Sequence, residues 1–178
     1  MSVRDRPKTT DRDVSDGLRS VAKRSWSNRV HQFIIVIAGT DALVSRRIQV
    51  PERYSFGALY VAIPCGDCHL HEFRLLDAKE KQVVPIGIPN DEDPERHPVI
   101  PGWEVKLSKF FERRVWHSPP ATYAYDLGDD WQHVVVHEGM ESAEESLSYP
   151  RCIAGARRCP PEDCGGTSGY AEFLQADR

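Results

Sequence analysis

A chain of 178 residues, 40% hydrophobic and 28% charged, has room for one domain with its own core and not comfortably for two. Its net charge of −4 is unevenly spread: residues 1–30 hold eight Lys/Arg against four Asp, a net of +4, which leaves −8 on the remainder. That acidic body argues against a phosphate-backbone binder, and an apolar run no longer than Phe33–Ala38 excludes a membrane-spanning helix.

Residues 1–28 are polar, rich in Ser, Asp and Arg, without apolar periodicity, and are expected to form a disordered basic tail. No apolar segment follows the first basic residues, so a secretory signal is not expected and the protein is placed inside the cell. Cytoplasm is the first expectation; the scattered basic residues give a weaker nuclear signal. In such a compartment the five cysteines are expected as thiols or metal ligands.

Order is expected from Val30. His31–Ala38 reads as a buried strand rich in β-branched residues, and Val44–Val50 as a second. Ser55–Ile63 reads as a short helix with Ser55 as N-cap, stopped by Pro64. His69–Leu76 and Gln82–Ile86 read as a hairpin, Ile88–Gly102 as a surface loop and Glu104–Phe111 as a helix. Ala121–Tyr125 and Trp131–Glu138 read as strands joined by the turn Asp126–Asp130. Met140–Leu147 is a charged connector, and a last helix runs over about Gly169–Gln175. This order predicts a single α+β domain over residues 29–178, a mainly antiparallel or mixed sheet packed with about three helices.

The residues that carry chemistry lie in four places. In YAYDLGDDWQH, Gly128 permits a tight turn that holds Asp126, Asp129 and Asp130 ahead of Trp131 and His133. Asp residues form such turns on their own, and the same carboxylates beside an imidazole can take a cation or do acid–base work. In HLHEF, alternation puts His69, His71 and Phe73 on one face. Two imidazoles at that spacing can share a metal, although buried structural histidines are commoner. Among the cysteines, Cys65 and Cys68 form a CxxC, while Cys152, Cys159 and Cys164 stand seven and five apart. That is not a standard zinc knuckle, so buried thiols are the default and zinc on Cys152, Cys159 and Cys164 the alternative.

The fourth place is CPPEDCGGTSGYAEFL. From Cys159 to Gly169 it holds two prolines, two cysteines, three glycines and the adjacent carboxylates Glu162 and Asp163. Pro160 and Pro161 stiffen one end, and Gly165, Gly166 and Gly169 free the other. Such a loop holds Glu162 and Asp163 in set positions, where they either meet a cation or, for Asp163, cap neighbouring amides.

HLHEF, YAYDLGDDWQHVVVHE and YPRCIAGARRCPPEDCGGTSGYAEFL, in that order, resemble the Ri-plasmid Orf-three-like domain family over about residues 30–176. The C-terminal string is the most specific part of the likeness. The resemblance implies a single α+β domain and no established biochemical function. Some members carry the labels transposon passenger or resolvase-like, yet this chain has neither a resolvase-type serine motif nor a basic DNA-binding face. It departs from the family pattern in ALYVAIPCGDC, which is about one helical turn shorter than usual.

The family motifs are expected to converge on one site: His69, Asp126, Asp130 and Trp131 as ligand-binding residues beside the Cys159–Gly166 loop. Two functional classes follow. The favoured one is a small soluble module that binds a protein or small-molecule ligand at this acidic Asp/His/Cys site. The other is a metal-dependent or acid–base hydrolase-like enzyme using Asp129, His133, Glu162 and Asp163. No complete arrangement of nucleophile, base and oxyanion donors can be assembled from the residues, which is why the first is preferred.

Overall fold

The computed structural model describes residues 28–63, 69–77, 79–90, 97–111 and 119–176. The expectations for the N-terminal tail and for Cys65 and Cys68 fall outside these residues. Eight strands form one mixed sheet: β1 (Arg29–Ile37), β2 (Ser45–Pro51), β3 (His71–Asp77), β4 (Gln82–Gly87), β5 (Ile100–Pro101), β6 (Ala121–Tyr125), β7 (Trp131–Ser142) and β8 (Arg151–Ala156). Their spatial order is β5-β4-β3-β6-β7-β1-β2-β8. All neighbours are antiparallel except β4 and β5. Two helices complete the fold, α1 (Phe56–Ala62) and α2 (Gly166–Ala176).

The period-2 pattern of β1 decides which side carries the core. Phe33, Ile35 and Ile37 are buried while Gln32, Ile34 and Val36 are only half-buried. Phe56 and Leu59 of α1 and Tyr170 of α2 join the same core, with Phe73, Tyr123, Trp131 and Val135 from the sheet. Burying side chains such as these is the main favourable contribution to folding, roughly 1.5–3 kcal/mol for each large apolar one. Beside the core, Gln32 bonds Glu138, Gln49 bonds Gln32, and Arg151 bonds Gln49, linking four strands by polar contacts.

Ser55 caps α1 as expected, its Oγ accepting from the Ala58 amide at 3.3 Å. The helix ends at Ile63, which is extended (φ −80°, ψ 113°), the conformation favoured ahead of a proline. The β3–β4 hairpin and β6 also stand where the sequence puts them.

Two expectations are corrected, and one strand is added. The described residues hold two α-helices, not about three: Glu104–Phe111 forms only a short 3-10 turn at Leu107–Lys109. Val105, Leu107 and Phe111 are nonetheless buried, so the apolar spacing reported burial and not a helix. The connector beginning at Met140 starts inside β7, whose pairing with β1 continues to Ser142. Arg151–Ala156, to which no element was assigned from the sequence, is the edge strand β8, paired with β2. Its small and mostly exposed residues show none of the alternation by which a half-buried strand is recognised.

Candidate functional site

The Asp-rich turn between β6 and β7 is built by its own side chains. Asp126 and Asp130 have φ of 51° and 50°, a region Asp tolerates better than most residues. The Asp126 carboxylate accepts from the Gly128 amide at 3.1 Å and lies 3.5 Å from that of Asp129. The Asp130 amide donates to the Asp126 carbonyl at 2.7 Å. Across the sheet, the Asp126 amide donates to the Leu70 carbonyl at 3.0 Å, which sets the turn beside His69.

The cysteine-proline loop comes to the same corner from the far end of the chain. Arg46 on β2 anchors its approach, donating to the carbonyls of Ser45, Ala156 and Arg157 at 2.7, 3.2 and 2.8 Å and to Cys159 Sγ at 3.2 Å. Further along, the Gly165 amide donates to Asp129 Oδ2 at 3.1 Å. Gly166, at φ 67°, passes so close that a Cβ there would sit 2.5 Å from the Asp129 carbonyl oxygen. The glycines thus let the loop lie directly on the Asp turn.

This docking brings together side chains from three distant segments. Ligand atoms of His69, Asp126 and Asp163 all lie within 4.8 Å of one another. His69 Nδ1 is 3.8 Å from Asp126 Oδ2, and its Nε2 is 4.0 Å from Glu162 Oε2. The Tyr125 hydroxyl donates to Glu162 Oε2 at 3.4 Å, and the Tyr125 ring meets His69 edge-on at 5.6 Å. Asp126 is the most sheltered member; His69 is half-buried, and Glu162 and Asp163 are exposed.

The other candidates are placed differently. Asp129 caps Gly165, and Asp130 accepts from the Gln132 side chain. Trp131 is buried against Tyr170 at 6.4 Å, part of the core that supports the corner. His133 is also buried, with Nδ1 3.3 Å from the Tyr123 carbonyl, and its pKa is lowered chiefly by burial. A cavity of about 20 Å³ joins His133 to Tyr125, Trp131, Pro160, Pro161 and Glu162, directly behind the acidic corner. His71 does not share a site with His69: it stacks on Tyr60 at 3.7 Å in the interior, and burial lowers its pKa.

Among the described residues, none of Cys152, Cys159 and Cys164 is among these converging ligand atoms. Cys159 is disulfide-bonded, which corrects its place among the zinc candidates and among the expected thiols, since a disulfide sulfur is no thiolate ligand. Cys152 is a free, exposed thiol on the edge strand. Cys164 is a free thiol whose pKa is raised by burial first and by the Asp129 carboxylate second, the reverse of an activated nucleophile.

Sequence reasoning missed two polar groups of the interior. Glu72 is fully buried and bonds Arg74 and His97. His31 and His137 face each other with Nδ1 and Nε2 3.0 Å apart among Phe33 and Phe111. The signal for the second was His31 in alternation with Phe33, Ile35 and Ile37 on the buried face of β1; its partner lies 106 residues away. A wider cavity of about 560 Å³ lies between the β1–β2 turn and α2, lined by Asp41, Arg157, Thr167 and Tyr170 among others. It shares no lining residue with the small cavity behind the acidic corner.

Among the described residues no helix is long and apolar enough to cross a membrane. A solved structure, the protein of unknown function MM3350 from Methanosarcina mazei Go1, superposes with a TM-score of 0.74 at 37% identity, over 83% of this chain and 81% of that one. The uncharacterized protein y4hQ of Sinorhizobium fredii is 28% identical over 152 residues, covering 80% of this chain and 70% of its own. The description of the plasmid pRiA4b ORF-3-like proteins matches residues 29–178, and the chain belongs to that family.

Proposed function

We propose that this protein is a small binding module whose ligand presents a positively charged group to the corner formed by His69, Asp126, Glu162 and Asp163. One observation carries this reading. Among the described residues, none of the three carboxylates is paired with a Lys or Arg; their cationic neighbour is His69, charged only when protonated. Carboxylates held close together without compensating charge favour the arrival of a cation. The acidic balance of the folded body acts in the same direction.

The acid–base alternative needs Asp129 and His133 to work on Glu162 or Asp163. Asp129 is committed to the Gly165 amide and His133 to the Tyr123 carbonyl, so the binding reading has the better support. A nuclear magnetic resonance titration with arginine amide, a guanidinium probe, tests it. The expected result is saturable shifts at the Gly165 amide and the His69 ring, abolished by Glu162→Gln combined with Asp163→Asn. Shifts confined to residues lining the cavity beside α2, or no shifts, would refute it.

A further inference from the structure

The cavity of about 560 Å³ between the β1–β2 turn and α2 has no part in the acidic corner, and its chemistry is of another kind. Its volume lies within the range of roughly 300–1,000 Å³ that receives small organic ligands. Thr167, Tyr170, Ala171 and Leu174 line it at three- and four-residue intervals, so α2 turns one face to it. Opposite charges reach the same space from two other segments: Asp41 from the β1–β2 turn and Arg157 from the exit of β8. Among the described residues they make no ion pair with each other or with any other group. A ligand that carries both charges satisfies each of them.

Two further observations point to an occupant. Tyr170 is only 5% exposed, with its ring against Trp131 at 6.4 Å. Its hydroxyl makes no hydrogen bond among the described residues, and it is not sealed in protein, so the cavity is what it faces. A hydroxyl on so buried a ring ordinarily finds a partner, and here one can come only from the cavity. The second observation is the backbone of Arg157. Its φ is 62°, a region that arginine seldom adopts, and its carbonyl is pinned by the Arg46 guanidinium at 2.8 Å. The chain is thus fixed in a costly conformation where it carries a cation to the cavity, a pattern found where ligands are held.

We propose that this cavity binds a dipeptide-sized zwitterion with apolar side chains. Arg157 takes the carboxylate, whose two oxygens match the guanidinium fork. Asp41 takes the ammonium, the Thr167 and Tyr170 hydroxyls bond polar atoms between the two ends, and Ala171 and Leu174 offer apolar surface to the side chains. None of these residues belongs to the acidic corner, so the assignment is independent of the arginine amide titration.

Calorimetric titration of the full-length chain with leucyl-leucine tests this, beside the N-acetylated and the C-terminally amidated dipeptide, each of which lacks one charge. The expected result is one dipeptide per chain, with affinity weakened at least about tenfold by either blocked end and by Arg157→Gln or Asp41→Asn. Both substituted side chains are exposed, so the thermal midpoint of those variants should stay at the wild-type value. Tyr170→Phe, which keeps the ring against Trp131 and removes only the hydroxyl, should weaken binding as well. Absence of saturable binding below about 1 mM would overturn the assignment, as would equal affinity for the blocked dipeptides or in the two charge variants. The blocked dipeptides put the question to the unaltered protein, so the answer does not depend on how any variant folds.

Discussion

Histidines in two regions of this molecule do opposite work. His31 and His137 sit in an aromatic pocket with Phe33 and Phe111, where burial and their mutual repulsion as cations hold His31 down to about 4; burial does the same for His137. His69 sits among carboxylates at a partly open corner. The side chain is the same; the surroundings decide whether it is a neutral packing element or a partner for charge. Pairing within the sheet supplies the first environment, and loop docking supplies the second.

The largest effect that can break this comparison is on acid stability. The unfolded chain protonates His31 near pH 6.5, while the folded chain resists until about pH 4. Its contribution is therefore complete above pH 6.5 and is lost as pH falls from 6.5 to 4, by roughly 3 kcal/mol for His31 alone. His71 and His133, also lowered by burial, act in the same sense. Denaturant titrations across this range should show the fall, with a shallower slope in His31→Phe. An unchanged slope in that variant would mean that the buried pair is not kept neutral.

Next in size is Gly166→Ala. Its φ of 67° and the Asp129 oxygen 2.5 Å from the new Cβ both oppose it. The backbone conformation alone costs about 1–2 kcal/mol, and the loop must lift from the turn. The expected readout is a lower thermal midpoint together with a displaced Gly165 amide resonance. A wild-type Gly165 resonance would show that docking does not depend on this close approach.

The smallest expected effect sharpens the contrast. His69→Ala should change stability by no more than about 0.5 kcal/mol, because the residue is partly exposed and outside the core. A fall comparable to the His31 effect would make His69 a structural residue as well.

How much of this was legible in the sequence follows from distance along the chain. The Ser55 cap, the Asp126 turn and the stiff loop around Glu162 depend on neighbours a few residues away, and each could be read locally. The meeting of His69 with Asp126 and Glu162 was anticipated from family motifs, since no spacing rule reaches across such separations. The His31–His137 contact was half visible: His31 stands on the buried face of β1, but its partner lies 106 residues away. Strand β8 was hidden for another reason: as an exposed edge with small side chains it lacks the pattern that burial imposes. The segment Glu104–Phe111 shows the converse, because apolar residues buried from an irregular stretch imitate a helical stripe.

The strand order carries a consequence for how the protein is made. Strand β1 is made before every other strand of the sheet, yet one of its two neighbours is β7, with Arg29 opposite Ser142. The central sheet therefore waits for most of the chain, and such long-range closure slows folding. The loop bearing Glu162 and Asp163 comes later still, so the acidic corner is completed last. A nascent chain stalled ahead of Cys159 has His69 and Asp126 but neither of the loop carboxylates. Occupancy of the corner would thus report that the loop before α2 has been made and has docked on the Asp126 turn.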